Sequence, residues 1–237
     1  MKRFVPLESN PEVFDELIHS MGVSKSVSWH DVFSIDEPEL LAMIPRPVFA
    51  LVLTFPVSDT YEKYRIEQDR NVGDYQTISG TSEEDAIWFK QTIGNACGTM
   101  ALLHAMANGL PNEYIEPDSA IDKLVKEAAP LNVQRRVELL ENSQDLESHH
   151  RAVATKGATE APPAEAKVEH HYLCLTRAPK SGNLYELDGR RKGPIDHGPL
   201  NKDLDLLSEK PLELVKEFLQ RESGSASFSI LALAPSF

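Results

Sequence analysis

The sequence predicts an α/β or α+β protein in which helices pack in layers on a β-sheet. The first observation is residues 48–57, a continuous run of apolar, β-branched and aromatic side chains that is typical of a fully buried strand. The second is a hairpin, because apolar strands at 168–177 and 183–189 flank a five-residue turn. The third is the set of helical segments that stand before, between and after these strands.

Composition limits the function classes. The chain has 237 residues, 41% of them hydrophobic, which suffices for a sizeable core in one large domain or two small ones. Its net charge of −13 argues against a nucleic-acid or anionic-membrane surface and permits a basic partner. No apolar run approaches the roughly 20 residues that span a bilayer, and the N-terminus lacks the apolar stretch of a secretory signal.

Cysteine usage indicates a compartment and a chemistry. The two cysteines both stand in apolar contexts, which suits a reducing compartment without disulfides. We therefore expect a cytoplasmic protein, with the nucleus left open. No Cys/His spacing resembles a zinc site and no Gly-rich phosphate loop is present, so we expect no metal and no cofactor.

The helices are predicted from caps and periodicity. Asn10 caps a first helix with Pro11 at its first position, and that helix stops at Gly22. Asp36 is expected to cap a short helix at 37–43, and Asp118 one that continues through Ala128. The remaining helices are predicted at 58–71, from residue 97 to Asn108, from residue 131 to about 152 with a break near 142–143, and at 212–221.

The remaining segments are predicted as strands, turns and one loop. Residues 29–33 and 225–234 are expected to be extended, and 194–198 to form a turn. Residues 156–167 are rich in Ala, Pro and Glu, so this stretch is predicted to be mobile. It could link two domains, but the apolar strands beyond it need a sheet to join. We therefore interpret it as a surface loop within one domain.

The residues around Cys97 indicate nucleophilic chemistry. A polar, Gly-bearing loop ends at Ala96, and a mostly apolar helix begins at Cys97. A helix N-terminus favours an anion, and the thiolate is the reactive form of cysteine. Gln91 precedes it closely enough for its amide to join the backbone N–H of Cys97 in holding an oxyanion. This arrangement is typical of papain-like cysteine peptidases; the alternative is a buried cysteine that only fills space.

The hairpin selects a base for this thiol. Opposite positions should sum to about 360, which places His171 opposite Gly189 or Asp188. Cross-strand neighbours have Cβ atoms about 5 Å apart, so His171 and Asp188 fall within hydrogen-bond reach. A histidine oriented by a carboxylate is the base of a catalytic triad, although the same two residues could form an ordinary cross-strand pair.

Other candidates fit the chemistry less well. His104 lies about 10.5 Å along the helix from Cys97, too far for proton transfer, and is expected in the core or groove. His170 points to the opposite sheet face from His171. His149 and His150 are expected to be solvated, and Cys174 to pack in its strand.

Several motifs resemble the ubiquitin C-terminal hydrolases, a family of cysteine peptidases. The likeness rests on Gln91-Thr-Ile-Gly-Asn-Ala-Cys97-Gly-Thr, on His171 opening an apolar strand and on Leu184-Tyr-Glu-Leu-Asp188-Gly-Arg190. PLESNPEVF from Pro6, PELLAMIPRPVFALVLTFP from Pro38 and TEAP from Thr159 also look like the short, single-domain members. The likeness covers nearly the whole chain. Glu37 looks like a one-residue insertion, and residues 71–81 and 143–156 match less well.

The resemblance implies a fold and a set of roles. It implies a papain-like fold, a central antiparallel sheet between helices and a knotted backbone, in one catalytic domain over residues 1–237. It assigns Cys97 as nucleophile, His171 as general base and acid, Asp188 as its orienter and Gln91 as oxyanion donor. It also makes about 154–167 a mobile crossover loop over the active site.

The resemblance further implies ubiquitin as partner, with the related modifier NEDD8 undecided, for a monomeric enzyme. The excess of carboxylates suits that basic partner. In this family the N-terminal arm, the crossover loop and the segment before the last strand contact ubiquitin. The corresponding positions here are Pro6, Leu7, Glu8, Ser9, Asn10, Pro11, Ala154, Thr155, Lys156, Gly157, Ala158, Thr159, Glu160, Ala161, Ser225 and Phe228.

The expected activity is thiol-dependent hydrolysis after the C-terminal glycine of ubiquitin. Because a short crossover loop limits access to the cysteine, small adducts and short or unfolded extensions are the expected leaving groups. Two other readings stay open. One is a catalytically silent module that binds or sequesters ubiquitin, and the other is a thiol acyltransferase with an acceptor site.

Overall fold

The computed structural model describes residues 2–70, 72–73, 75–166, 168–222 and 228–237. In this part of the chain six strands form one sheet in the order β1-β6-β2-β3-β4-β5, and every neighbouring pair is antiparallel. The predicted mixed α/β class is confirmed. The strands are β1 (Val27–Asp31), β2 (Ala50–Pro56), β3 (His170–Arg177), β4 (Asn183–Leu187), β5 (Ile195–Pro199) and β6 (Ser229–Pro235).

Helices lie on both sides of this sheet. They are α1 (Pro11–Ser20), α2 (Pro38–Leu41), α3 (Asp59–Gln68), α4 (Cys97–His104), α5 (Ala120–Ala128), α6 (Val133–Asn142), α7 (Gln144–Val153) and α8 (Glu209–Arg221). A π-helical turn at Ala105–Gly109 continues α4, and 3-10 turns stand at Tyr75–Thr77 and Asn112–Tyr114. Within the described residues, no helix is both long and apolar enough to cross a membrane.

Strand β2 is the centre of the sheet, as its apolar sequence predicts. All its residues before Pro56 are buried, and it pairs with β3 on one side and β6 on the other. Alternate side chains enter two hydrophobic cores, one on each face. Ala50 and Val52 join the core under α1 and α4, whereas Leu51, Leu53 and Phe55 join the core that contains α8 residues. A strand buried on both faces needs a continuously apolar sequence.

The hairpin forms, but its register differs from the prediction. Cys174 pairs with Leu187 and Arg177 with Leu184, so opposite positions sum to 361 rather than 360 or 359. The ladder stops before His171 reaches a β4 partner, and His171 pairs instead with Phe55 of β2. The prediction of a turn at 194–198 was wrong, because Ile195–Pro199 forms strand β5 against β4 with a register shift.

The structure confirms some of the predicted helix caps and boundaries and corrects others. Asn10 caps α1 as predicted, and the break between α6 and α7 falls at Ser143, which caps α7. Asp118 does not cap α5, because its φ of 60° is left-handed and Ser119 accepts the helix N–H instead. Helix α2 begins after Glu37 rather than Asp36 and ends at Leu41, earlier than predicted.

Candidate active site

The Cys97 thiol lies at the first residue of α4, as the sequence predicts. Every residue of this helix is buried, and Ala96 provides no side-chain cap for the first N–H groups. Uncapped N–H groups are available to an anion beside the thiol. The loop before it turns through Asn95, whose φ of 59° is tolerated by asparagine. The fold therefore presents the sulfur at the positive end of a buried helix.

His171 comes to this thiol from the end of β3. Its Nε2 lies 2.7 Å from Oδ1 of Asp188, and the ring is 2% exposed. Burial alone would lower the pKa of His171, but the Asp188 carboxylate and the neighbouring Cys97 side chain raise it to about 9. Because Nε2 faces Asp188, Nδ1 is the ring nitrogen left for the sulfur. The arrangement favours an imidazolium next to Cys97.

Asp188 is held by three donors at the end of β4. His171 occupies Oδ1, which also accepts the Arg190 N–H at 2.8 Å, and Tyr61 donates to Oδ2 at 2.5 Å. Burial would raise the pKa of Asp188, but His171 and these hydrogen bonds hold it well below its usual range. The carboxylate is fully buried and stays ionised beside the imidazole.

The predicted His171–Asp188 contact exists, but through a diagonal neighbour. A sum of 361 places His171 opposite position 190, and Asp188 lies two residues from that position on the same face of the sheet. Diagonal neighbours are still within reach of long side chains.

Gln91 lies against Gly189, the residue that follows Asp188. Its backbone N–H donates to Gly189 O at 2.8 Å, and a Cβ on Gly189 would lie 2.9 Å from Gln91 Cβ. The Gln91 amide Nε2 donates to Ile93 O at 3.2 Å, while Oε1 is buried and has no hydrogen-bond partner in the described part of the chain. The close approach allowed by Gly189 therefore fixes Gln91 beside Cys97.

A buried ion pair supports the loop that carries Gln91. The Arg136 guanidinium is fully buried, pairs with Glu84 at 2.5 Å and donates to Trp88 O at 3.3 Å. Trp88 in turn donates from Nε1 to Asp188 O at 3.0 Å. The ion pair is thereby connected to the residue that orients His171.

His104 holds the same loop rather than serving as a base. Its Nε2 accepts the Phe89 N–H at 3.0 Å, and burial lowers its pKa to about 4. The core position expected from the sequence is confirmed. Cys174 is likewise buried in β3, as expected.

Cys97 and His171 open into a cleft of about 610 Å³. Gln91, Asn95 and Arg190 also line it. Three carboxylates stand on its walls, from Asp59, Glu62 and Glu169. Among the described residues no cluster of His, Cys, Asp and Glu could hold a metal ion.

A second groove of about 430 Å³ joins the cleft through Val168 and His170, which line both. The groove brings together three segments that the resemblance relates to ubiquitin. Nine of the proposed contact residues line it, namely Pro6, Leu7, Glu8, Ser9, Ala154, Gly157, Thr159, Ala161 and Phe228. The others do not line it: Asn10 caps α1, Pro11 begins α1, and Thr155, Lys156, Ala158 and Glu160 lie along residues 154–161. Ser225 lies outside the described residues.

Hydrogen bonds attach residues 154–166 to the site at two points. The Glu8 carboxylate accepts the N–H groups of Ala158 and Thr159 at 3.1 and 2.9 Å and the Thr159 hydroxyl at 2.5 Å. At the other point Asn95 Nδ2 donates to Ala164 O at 2.8 Å. The loop is thus bonded both to the N-terminal arm and to the residue two positions before Cys97.

Sequence reasoning missed two residues near the site. Tyr61 falls in the helix predicted at 58–71 and was not singled out there, yet it is fully buried and donates to Asp188. His150 was expected in solvent, but its ring is buried between Thr99 of α4 and Val5 O. The signal for His150 was present, because Leu146, His150 and Val153 follow helical spacing and form the buried side of α7.

Comparisons with known proteins identify the family of the chain. Residues 4–220 match the model of Peptidase_C12, ubiquitin carboxyl-terminal hydrolase family 1. A ubiquitin carboxyl-terminal hydrolase from Drosophila melanogaster is 38% identical over 98% of both chains. Ubiquitin carboxyl-terminal hydrolase 3 from Arabidopsis thaliana is 35% identical over 98% of this chain and 94% of its own.

A solved structure has the same fold. The catalytic domain of Trichinella spiralis UCH37 bound to ubiquitin vinyl methyl ester superposes with a TM-score of 0.76 at 20% identity, covering 100% of this chain and 97% of that one. The chain therefore belongs to ubiquitin carboxyl-terminal hydrolase family 1 and is a cysteine-type hydrolase.

Proposed function

We propose that this enzyme hydrolyses the acyl bond after the C-terminal glycine of ubiquitin. The observation that carries the proposal is the placement of His171, which bonds to Asp188 through Nε2 and faces Cys97 with its other nitrogen. A thiol, a base and a carboxylate in this order form the catalytic unit of a cysteine peptidase. Ubiquitin as substrate is supported by the names of the relatives and by the ubiquitin adduct in the related structure.

The first half of the reaction forms a thioester. The Cys97 thiolate attacks the glycine carbonyl carbon, and the carbonyl oxygen takes the negative charge next to the backbone N–H of Cys97. The Gln91 amide joins that oxyanion site once Nε2 exchanges its bond to Ile93 O for the oxyanion. His171 then gives its proton to the leaving nitrogen or sulfur as the bond to the glycine carbon breaks.

The second half regenerates the enzyme. Water attacks the thioester carbon and transfers a proton to His171, and the Cys97 thiolate leaves. Throughout, Asp188 stays ionised and holds His171 in the orientation that serves both steps. The products are ubiquitin with a free carboxylate and the released adduct.

The loop of residues 154–166 supports a limit on substrate size. Its two attachments, at Glu8 and at Asn95, place it beside both the groove and the cleft. A leaving group that passes such a loop has to be small or extended. We therefore expect hydrolysis of small adducts and short unfolded extensions, and efficient cleavage of folded ubiquitin dimers would contradict this.

The test of the function is reaction with ubiquitin whose C-terminus carries a thiol-reactive electrophile. Wild type, Cys97→Ala and the control Cys174→Ala are each incubated with the probe and analysed by mass spectrometry. A single adduct on wild type and Cys174→Ala, absent from Cys97→Ala, is the expected result. Binding of ubiquitin without an adduct would indicate a silent binding module. The same series with a NEDD8 probe measures discrimination between the two modifiers.

A further inference from the structure

A basic pocket adjoins the cleft at Arg190, which lines both. Its volume is about 610 Å³, and it has Trp88 and Val133 among its lining residues. Six cationic side chains line it against one described carboxylate, Asp69: Arg65, Arg70, Lys90, Arg190, Arg191 and Lys192. The lining of this pocket is therefore positively charged, although the chain as a whole has a net charge of −13.

Half of these cations already have partners. Arg65 and Arg190 pair with Glu62, and Arg191 pairs with Asp69 and Glu186. The other half, Arg70, Lys90 and Lys192, are exposed and make no ion pair with another described residue. Three exposed charges of one sign around one cavity attract anions, since their fields add at its mouth.

Arg191 adds a second observation inside the same pocket. Arg191 is 3% exposed, and its Nη2 is buried with no hydrogen-bond partner among the described residues, although Nε and Nη1 both bind carboxylates. A buried guanidinium N–H without an acceptor is costly. The pocket thus contains an unused donor as well as unpaired charge.

Shared lining residues give the order of the three cavities. The groove and the cleft share Val168 and His170, and the cleft and the basic pocket share Arg190. Lys90 lines the basic pocket while the next residue, Gln91, lines the cleft. The basic pocket therefore adjoins the cleft and shares no lining residue with the groove.

We propose that the basic pocket binds acidic side chains of the leaving group, on the peptide that follows the scissile bond. The inference rests on the proposed function, because the groove is then the side that holds the ubiquitin tail. The pocket makes ubiquitin with a short acidic extension a better substrate than ubiquitin with a neutral one. Charge complementarity of this kind acts mainly on the rate of association.

The experiment compares two ubiquitin substrates with extensions of equal length. One extension carries Asp and Glu, and the other carries Asn and Gln at the same positions. The measured quantity is the ratio of their kcat/KM values. For wild type we expect a ratio of about five to ten in favour of the acidic extension. The ratio should approach one at 1 M salt, where the Debye length is about 3 Å.

The charge-reversed variant Arg70→Glu/Lys192→Glu tests whether the basic pocket causes the preference for the acidic extension. It leaves out Lys90, because Lys90 adjoins Gln91. We expect its ratio to fall to one or below, whereas the control Lys25→Glu, which lines none of the three cavities, keeps the wild-type ratio.

Each contrary outcome has a distinct meaning. A wild-type ratio near one, with both substrates hydrolysed, would overturn this inference and leave the proposed function intact. If the charge-reversed variant keeps the wild-type ratio of kcat/KM values, the preference for the acidic extension does not arise from this pocket. Failure to hydrolyse any ubiquitin substrate, including a small fluorogenic amide, would overturn the proposed function and this inference with it.

Discussion

The Tyr61 hydroxyl donates a 2.5 Å hydrogen bond to Oδ2 of Asp188, the oxygen that His171 does not contact. Both side chains are fully buried. Burial and the neighbouring Asp188 charge raise the pKa of Tyr61 well above its ordinary value, so the phenol remains a donor at every working pH. Tyr61 is thus a positioning residue that acts on His171 through the carboxylate.

Tyr61→Phe should separate this role from simple packing. Losing a buried bond to a charged group costs about 1.5–3 kcal/mol, so we expect kcat/KM for a ubiquitin fluorogenic amide to fall about tenfold. The pH profile should shift as well, since the His171 environment changes. The control is Tyr64→Phe on the same helix, where the ring stacks on Arg221. A lower stability with an unchanged pH profile would reduce Tyr61 to a packing residue.

The raised pKa of His171 predicts a pH dependence of stability with a definite sign. The pKa rises from 6.5 to about 9 on folding, so protonated His171 stabilises the native state fully below pH 6.5. That contribution, on the order of 3 kcal/mol, is lost as the pH rises through about 9. The free energy of unfolding of wild type minus that of His171→Asn should therefore shrink between pH 7 and 10 in urea titrations.

His150 is the control for that experiment, because its pKa shifts in the opposite direction from that of His171. Burial lowers its pKa to about 4, so its contribution is present above pH 6.5 and is lost as the pH falls toward 4. The difference between wild type and His150→Asn should accordingly stay flat from pH 7 to 10. Parallel curves for the two variants would contradict the assignment of either histidine.

Gly189→Ala should disturb the proposed oxyanion site at Gln91 without changing the side chains of the proposed triad. The new Cβ would lie 2.9 Å from Gln91 Cβ, 3.0 Å from Gln91 N and 3.1 Å from Phe89 O, so the Gln91 segment has to move. Displacement of a catalytic group by about 1 Å costs roughly 100-fold, and we expect this loss in kcat rather than KM. Gly73→Ala is the control, because apart from the chain neighbours of Gly73 no described residue lies within 4 Å of the new Cβ. Wild-type kcat in Gly189→Ala would show that Gln91 placement is not critical.

The buried ion pair predicts a large difference between two adjacent arginines. Arg136→Met leaves Glu84 buried without its guanidinium, so the free energy of unfolding should fall by about 3–5 kcal/mol. Arg135 pairs with Glu138 at the surface, with 67% and 44% of the two side chains exposed, so Arg135→Met should change stability by less than about 0.5 kcal/mol. Urea unfolding measures both, and equal losses would contradict the burial argument.

The sequence predicted those parts of the site that depend on local pattern. The apolar run of β2, the helix that begins at Cys97 and the pairing of His171 with Asp188 follow from apolar patterning, helical periodicity and the length of one turn. The register was off because the strand ends define a hairpin only to within a residue or two. The contact survived since a shift of two positions keeps a side chain on the same face.

The parts that could not be predicted depend on contacts between distant segments. Tyr61 reaches Asp188 across 127 positions, and His150 reaches Val5 across 145. Helical spacing indicates that His150 is buried, but the partner of each residue could not be read from its own helix. The strand at Ile195–Pro199 lacks an apolar run and forms because β4 offers a free edge. The knotted course of the backbone stays a prediction that rests on the resemblance.

The buried thiol of Cys174 can be used to measure how often the sheet opens. Cys174 lies in β3 between Val52 of β2 and Leu187 of β4, is fully buried, and has a pKa raised by burial. A thiol reagent reaches it only when β3 separates from its neighbours, so in a Cys97→Ala background the labelling rate reports how often that happens. Tyr172 of β3 lines the groove between the N-terminal arm and Phe228, where we expect ubiquitin to bind. If ubiquitin slows the labelling of Cys174, binding at one end of β3 reduces the rate at which the middle of the sheet opens.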